Sequence, residues 1–372
     1  MRTRLLIGCI SFILVLFLIA GCEKPGTPPT VSDDPSDSVK FDVRLYKGQP
    51  PLPGLFADSG AQAKVVDDTN VVWECDLPQT CTKPFERFVN KAKKYEKPIA
   101  QEQLAVLARE SKSIDDNGAM PSQQLRDAIV EGLNIGYLID DLKHHNLKVT
   151  RTKVVDSPEY FLQPFPVIEE HLVIEDPWLG QIAAVLHRPR SGPIKGVILA
   201  LHGHGGSAIS FLVRYKSRLF CEKGIAVLAP DFPVMGADET EDRISRMLMM
   251  KGHSLLGLQV YTALVAKKYM NAMPNVPQGA FGVMGNSGGS VIGNVLVRVE
   301  PDFRCFLTDS VSNYSNTPNS LLLDEVAYGI SKYASQINDF KTAPMSVFWT
   351  DYDFYRDWAQ QMAVTFFAGQ LE

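Results

Sequence analysis

Several features that would assign the chain to a specialised class are missing from its 372 residues. The sequence has no basic stripe and no internal repeat, and its formal net charge of −5 argues against nucleic acid as a partner. The six cysteines have spacings that match no zinc site. Apolar residues make up 45% and charged residues 21% of the chain, as in an ordinary globular protein. A chain of this length has room for one large or two moderate domains.

The hydrophobic run at the N-terminus is shorter than a comfortable bilayer span of about 20 residues. Two arginines precede it and residues 5–19 are apolar or small, so residues 1–21 are predicted to be a signal peptide. The run ends in IAGC, which resembles the bacterial lipobox. The resemblance implies that Cys22 carries fatty acids such as palmitate and anchors the protein in the bacterial cell envelope. A plain signal peptide and an uncleaved anchor are the alternatives, and Glu23 mildly favours the outer membrane.

The segment after this cysteine has the composition of a disordered tether. Residues 22–40 are rich in proline, serine, threonine and aspartate and contain almost no apolar side chains. We therefore expect the folded part of the chain to stand off the membrane.

The remaining cysteines fit an oxidising compartment. Cys75 and Cys81 enclose the turn-rich sequence DLPQT, so a disulfide between them is predicted, with two free thiols as the alternative. Cys221 and Cys305 lie inside apolar helix and strand patterns and are predicted to be core residues.

The region from residue 41 to residue 165 is predicted to be a separate helical or mixed unit of unknown role. Apolar residues recur at helical spacing over residues 85–95, 101–110 and 122–142. His144 and His145 could suggest a metal pair. Adjacent residues on a helix point about 100° apart, however, so a solvated helix end is the favoured interpretation.

From residue 166 to residue 372 the pattern changes to strands that alternate with helices. Residues 168–175 and 181–187 alternate apolar and polar side chains, which predicts an antiparallel pair at a sheet edge. Continuous apolar runs follow at residues 196–201, 225–229, 280–284, 305–308 and 345–349. Such runs, separated by helix-length segments, predict an α/β fold with a mostly parallel sheet and helices on both faces.

Gly285-Asn286-Ser287-Gly288-Gly289 lies between the strand at residues 280–284 and a helical stretch that begins at Ser290. A serine on a strand-to-helix turn is held in strained backbone geometry, with its hydroxyl directed out of the sheet. Its small neighbours allow the turn to pack closely against adjacent elements. The helix N-terminus behind it stabilises negative charge. Ser287 is therefore the predicted nucleophile.

A glycine-rich loop, HGHGG, follows the strand at residues 196–201. Its glycines allow backbone amides to approach a substrate oxygen, so the loop can supply half of an oxyanion hole, with the amide of Gly288 as the other half. The two histidines of the loop could instead suggest metal ligation, but no third ligand is in view. We expect neither a metal nor a cofactor.

Four segments, LALHGHGGS, GIAVLAPDFPVMG, KGHSLLGLQVY and FGVMGNSGGS, together resemble the dienelactone-hydrolase and acetyl-xylan-esterase branch of the α/β-hydrolases. The resemblance covers residue 167 to the C-terminus. It implies that Ser287 is the nucleophile and that His204 and Gly288 supply the oxyanion amides. It also places an acid after the strand at residues 345–349, where Asp353 fits the spacing best. Asp351 and Asp309 are weaker candidates, and merely polar strand ends are the alternative.

The family also places a histidine base after the acid, but none of the seven histidines follows Ser287. The last strand and its base-bearing loop are not found, so the resemblance implies a hydrolase domain that is C-terminally incomplete. Three hypotheses stay open: a truncated enzyme, a family member that binds but does not cleave, or another histidine as base. His253, at the start of a predicted helix, is the candidate for that base, with a polar helix start as the alternative.

The predicted function is that of an extracytoplasmic serine hydrolase that cleaves carboxylic esters through an acyl-enzyme at Ser287. Its expected partners are a small-molecule or polysaccharide ester and, through the lipid anchor, a membrane. The alternative function is that of a catalytically inactive envelope lipoprotein, which uses the same fold as a binding or scaffold module.

Overall fold

The computed structural model describes residues 61–65, 71–75, 78–97, 122–158, 166–204, 206–232, 234–235, 238–309, 346–349 and 357–371. The signal peptide, Cys22, the tether and the predicted helix at residues 101–110 lie outside these ranges. All of the described residues belong to one compact unit.

The described residues before the main sheet include an antiparallel strand pair and three α-helices. Strands β1 (Ala61–Val65) and β2 (Val71–Cys75) pair antiparallel. Helix α1 (Pro78–Ala92) continues into a 3₁₀ turn, Lys93–Tyr95. The predicted helix over residues 122–142 is two helices, α2 (Ser122–Gly132) and α3 (Gly136–His144).

Asn134 explains the break between α2 and α3. Its backbone is left-handed, with φ 53°, which an asparagine tolerates better than most residues. Its side-chain amide donates hydrogen bonds to the carbonyl oxygens of Tyr95 and Gly252, both at 2.8 Å. Through these bonds, the residues between α2 and α3 are connected to the 3₁₀ turn and to the loop that precedes the helix beginning at Leu255.

The main sheet has eight strands in the order β10-β9-β8-β6-β7-β5-β4-β3. They are β3 (Lys148–Asp156), β4 (Val167–Asp176), β5 (Gly180–Pro189), β6 (Gly196–Leu201), β7 (Ile225–Pro230), β8 (Phe281–Asn286), β9 (Cys305–Asp309) and β10 (Ser346–Trp349). Strands β7, β6, β8, β9 and β10 pair parallel. The predicted α/β fold with a mostly parallel sheet is confirmed.

The antiparallel side of the sheet is wider than expected. Strands β4 and β5 pair antiparallel as predicted, but β3 pairs with β4 on its outer side, so β4 is not at the edge. The sheet therefore begins before residue 166, where the sequence pattern placed its start. Strand β3 is exposed along most of its length, so its sequence lacks the apolar pattern by which buried strands are predicted.

Helices cover both faces of the sheet and produce two hydrophobic cores. In the part of the chain that the structure describes, the remaining helices are α4 (Ala208–Arg214), α5 (Ser217–Glu222), α6 (Asp238–Met249), α7 (Leu255–Ala272), α8 (Gly288–Val299) and α9 (Asp357–Leu371). Along β6, Val197, Leu199 and Leu201 face one core, and Ile198 and Ala200 face the other.

The two cores differ in the helices that they contain. The smaller core, which Ile198 and Ala200 face, contains residues of α4, α5 and α9. The larger core contains residues of α6, α7 and α8 together with Phe85 and Phe88 of α1 and Ile129 of α2. The N-terminal helices thus share a core with the sheet, because their apolar faces pack where α7 is buried on nearly all sides. The predicted domain boundary between residues 165 and 166 stays a prediction.

Candidate active site

Ser287 occupies the predicted turn between β8 and α8. Its backbone has φ 50° and ψ −119°, a region that non-glycine residues rarely adopt and that costs about 1–3 kcal/mol. Helix α8 begins at the next residue, two positions earlier than the sequence indicated, and the amide of Ser290 donates to the carbonyl oxygen of Ser287 at 2.9 Å. The strain expected of a nucleophile turn is therefore present at this serine.

The glycines around Ser287 are required by close packing. A Cβ on Gly285 would lie 2.6 Å from the carbonyl oxygen of Gly289, and a Cβ on Gly289 would collide with the carbonyl groups of Leu201 and His202. Real Cβ atoms do not approach backbone atoms so closely. The spacing of glycines in the motif thus reflects the contact between this turn and the end of β6.

The HGHGG loop packs directly against Ser287. A Cβ on Gly203 would be 2.8 Å from the Cβ of Ser287 and 2.8 Å from the carbonyl oxygen of Asn286. Gly288 is the first residue of α8, so its amide has no acceptor within the helix. The structure therefore brings Ser287, Gly288 and the loop with His204 together at the carboxyl end of the parallel strands.

His202 supports this loop. Its Nε2 accepts a hydrogen bond from the amide of Phe232 at 3.1 Å, so Nδ1 carries the proton and donates to the carbonyl oxygen of Gly203 at 3.0 Å. Burial lowers the pKa of His202 to about 4, since the charged form is poorly solvated there. A neutral His202 thus holds the loop in place through both ring nitrogens.

The side chain of His204 lies against the start of α8. A Cβ on Gly288 would lie 2.7 Å from Nδ1 and 2.8 Å from Cε1 of His204. On the other side of the ring, Nε2 is 3.1 Å from Oε1 of Glu241 in α6. Glu241 is buried, whereas the His204 side chain keeps 29% of its surface exposed. Glu241 could not be predicted from the sequence, because a lone acidic residue on an amphipathic helix carries no motif.

The candidates for the acid fall partly outside the described residues. Asp309 ends β9, in register with Asn286 of β8 and Trp349 of β10. Its backbone therefore lies one strand away from the residue before Ser287. Asp351 and Asp353 lie outside the described residues, so the choice among the three stays a prediction.

His253 lies in an aromatic cluster formed by the N-terminal helices. Its ring centre is 5.2 Å from that of Phe88 and 6.5 Å from that of Tyr137, both in edge-on arrangements. The residue is 1% exposed, and burial lowers its pKa to about 4. These surroundings suit a neutral core histidine.

A second group with the residue types of a catalytic triad is fully enclosed. His187 lies with Nδ1 2.5 Å from the Ser217 hydroxyl and Nε2 3.0 Å from Glu169, whose other oxygen is 2.7 Å from Nε2 of His171. All four side chains are 3% exposed or less. An ester cannot reach this serine, so the group links α5 to β4 and β5 as a buried polar network.

The predicted lipid and disulfide sites are not described at the level of side chains. Cys75 ends β2 and Cys81 lies in α1, and the pairing of the two stays a prediction. Cys221 and Cys305 are free and buried, as predicted. Within the described ranges, no group of three or more histidine, cysteine, aspartate or glutamate residues could hold a metal ion. In the same part of the chain no helix has the length and apolar character to cross a membrane.

Comparisons with known proteins concern the fold. No protein-family model matches the sequence, and a comparison with curated proteins finds no match. Among solved structures, a candidate acetyl xylan esterase from Bacteroides fragilis is similar, with TM-score 0.48 and 13% identity over 72% of this chain and 88% of that chain. An acetyl xylan esterase from Paenibacillus sp. R4 has TM-score 0.45 and 12% identity over 67% and 99%.

A cold-adapted esterase from an Arctic intertidal metagenomic library has TM-score 0.43 and 14% identity over 56% of this chain and 97% of that chain. Such identities show likeness of fold alone. The mostly parallel sheet covered by helices and the strand-turn-helix at Ser287 are those that the sequence resemblance implied.

Proposed function

We propose that the protein is a serine hydrolase that cleaves carboxylic esters through an acyl-enzyme at Ser287. The single observation that carries this proposal is the backbone of Ser287, which holds φ 50° at the first turn of α8 while Gly203 packs on its Cβ. A strained serine at a helix N-terminus, beside a glycine-rich loop, has no evident structural purpose. It does have a chemical one, because it exposes the hydroxyl where negative charge is stabilised.

The proposed reaction proceeds in two steps. The Ser287 oxygen attacks the ester carbonyl carbon, and the carbonyl oxygen becomes an oxyanion that accepts hydrogen bonds from the amides of His204 and Gly288. The alcohol leaves with a proton, and the acyl group stays on Ser287. Water then releases the acid by the same route in reverse. The substrate would be a small-molecule or polysaccharide ester, and Asp353 stays the acid predicted by resemblance.

The test uses an activated alkyl phosphonate and a short p-nitrophenyl ester. We expect the phosphonate to attach to Ser287, as located by mass spectrometry, and the ester to be hydrolysed at a rate that Ser287→Ala abolishes. Ser290, which is buried in α8, is an internal control for unspecific labelling. An adduct on Ser290 and not on Ser287, or no adduct and no hydrolysis, would contradict the proposal. The second result would favour the binding or scaffold module.

We place this activity outside the cytoplasm, with the protein anchored in the bacterial cell envelope by lipid on Cys22. The support is the IAGC motif behind a positively charged, apolar leader in the sequence. In the intact cell, Cys22→Ser should abolish labelling by a fatty-acid probe and release the protein from membranes. Unchanged labelling of that variant would rule out the assignment.

A further inference from the structure

The seven histidines differ in what their rings contact, and His204 alone among those described lies against the nucleophile turn. The pair at the end of α3 bonds to helix carbonyl groups. His171 and His187 bond to Glu169 in the enclosed network, and His202 uses both nitrogens to support the loop. His253 packs among the aromatic rings of the N-terminal helices.

The two nitrogens of His204 have different surroundings. A carboxylate oxygen can only accept, so the contact of 3.1 Å between Nε2 and Glu241 places the proton on Nε2. Nδ1 is then the basic nitrogen, and it is the atom nearest to the Cβ position of Gly288. The Nδ1 atom of this ring therefore lies beside the residue that follows Ser287, at the start of α8.

The burial of the two side chains suits a base and its positioning residue. Glu241 is 2% exposed and is carried by α6, whose Ile244 and Leu248 belong to the larger core. The His204 side chain is 29% exposed, so a substrate can approach it. Met235 also lies close, with Cε 3.3 Å from the Cβ position of Gly288, and it limits the space beside the ring.

We propose that His204 is the general base for Ser287 and that Glu241 positions it. This inference rests on the proposed function of Ser287. The pair follows the logic of a serine–histidine–acid triad with the nitrogens exchanged: Nε2 donates to the acid and Nδ1 serves the serine. In this arrangement Glu241, and not Asp353, orients the base. The amide of His204 keeps its place in the oxyanion hole, so one residue contributes through both its backbone and its ring.

The proton follows the electrons in both steps. As the Ser287 oxygen bonds to the carbonyl carbon, its proton moves to Nδ1 of His204, and the electron pair of the carbonyl double bond moves to the oxyanion. When the ester C–O bond breaks, the leaving alkoxide takes this proton from Nδ1. In deacylation, water gives its proton to Nδ1, its oxygen bonds to the acyl carbon, and Ser287 leaves with the proton.

The experiment compares His204→Ala, Glu241→Gln and His144→Ala, a histidine control at the exposed end of α3, in the full chain. Loss of a general base typically lowers the rate about 10²–10⁴-fold, and we expect a loss of that size in phosphonylation of Ser287 for His204→Ala. Added imidazole should restore part of the rate in this variant, because it can replace a missing base. If His204 had only a structural role, imidazole would not restore the rate. His144→Ala should react like the unaltered protein.

Glu241 is tested through the position of the base. Glu241→Gln should lower kcat with little change in KM, and Glu241→Asp should recover part of the loss. If Asp353→Asn lowers kcat far more than Glu241→Gln, the assignment of Glu241 is overturned.

Chemical modification of the unaltered protein tests the same role of His204 without a substitution, so misfolding of a variant cannot explain the result. Diethyl pyrocarbonate should modify His204 in the unaltered protein, stop phosphonylation of Ser287, and be reversed by hydroxylamine. If Ser287 reacts and esters are cleaved while His204→Ala or modified His204 keeps the full rate, the inference fails and the proposed function stands. If the unaltered protein neither reacts at Ser287 nor cleaves esters, both fail.

Discussion

Gly203 lies so close to Ser287 that a Cβ on the glycine would be 2.8 Å from the Cβ of the serine. The two residues follow neighbouring parallel strands, β6 and β8, whose ends are in register at Leu201 and Gly285. The loop after one strand is therefore packed on the turn after the other. The position of Ser287 depends on this contact as much as on its own helix.

We first predict that Gly203→Ala lowers the rate of phosphonylation at Ser287. The added methyl group would also meet the carbonyl oxygen of Asn286 at 2.8 Å, so the loop or the turn must shift. Displacement of catalytic groups by about 1 Å can cost about 10²-fold in rate. Equal labelling rates for the variant and the unaltered protein, measured at saturating reagent, would contradict the contact.

Gly369→Ala is the matched control, because it adds the same methyl group away from Ser287. We expect it to stabilise the protein slightly and to leave the labelling rate unchanged. Gly369 is exposed within α9, and nothing lies within 4 Å of the Cβ that a substitution would add. Alanine in a helix interior is favoured over glycine by about 0.5–1 kcal/mol. We expect a slightly higher Tm with unchanged labelling of Ser287. A lower Tm would show that the helix does not continue through this residue.

The strain at Ser287 predicts a difference between two inactive variants. Glycine adopts positive φ at no steric cost, whereas alanine keeps the penalty of the serine. We expect Ser287→Gly to be more stable than Ser287→Ala by about 1 kcal/mol, after the larger backbone entropy of the unfolded glycine variant is subtracted. Thermal unfolding of the two variants side by side gives the difference. Greater stability of the alanine variant would contradict a strained turn.

Strands β6, β7 and β8 could be predicted from the sequence because each is a continuous apolar run that is buried along its whole length. Strand β3 could not, since its burial pattern is mostly exposed and its pairing with β4 depends on tertiary structure. The division between α2 and α3 also escaped the pattern. The apolar spacing continues across Asn134, and only the bonds from its side chain to distant carbonyl groups show why the helix stops there.

The turn at Ser287 could be predicted for a different reason, namely that its glycines are spaced by backbone contacts that leave a local motif. His204 was found through its loop, and its amide was the predicted contribution. The bond between its ring and Glu241 spans 37 positions in sequence, and no local pattern signals it. A contact between a loop and a separate helix has to be read from the structure.

The cysteines predict a pattern of alkylation. Burial raises the pKa of Cys305 to about 12 and raises that of Cys221 as well, so neither thiol is a ready nucleophile at neutral pH. Native protein treated with iodoacetamide should stay unmodified at both residues, and Cys75 and Cys81 should appear as a linked peptide until a reductant is added. Free, alkylated Cys75 in protein isolated from an oxidising compartment would contradict the disulfide.

The last prediction concerns His253 and acid. Burial lowers its pKa from 6.5 to about 4, so well above pH 6.5 the histidine is neutral in both folded and unfolded chains and adds no pH dependence. As the pH falls from 6.5 to 4, the unfolded chain binds a proton and the folded chain does not, and the folded state loses stability. A shift of this size corresponds to about 3 kcal/mol at most.

Other buried groups titrate in the same range, so the prediction is a difference between two proteins. The lowered pKa of His202 reduces the free energy of unfolding as the pH falls, as that of His253 does. Burial raises the pKa of Asp231 to about 6, so its contribution reduces the free energy of unfolding as the pH rises from 3.8 to 6. These contributions cancel when His253→Phe is compared with the unaltered protein at each pH. Phenylalanine keeps a ring beside Phe88 and Tyr137 but cannot be protonated. Relative to the unaltered protein, the variant should gain about 2–3 kcal/mol between pH 7 and pH 4.5 in denaturant unfolding. Parallel stability curves for the two proteins over this interval would show that His253 titrates in the folded state as it does in the unfolded chain. That result would contradict its burial among the aromatic rings.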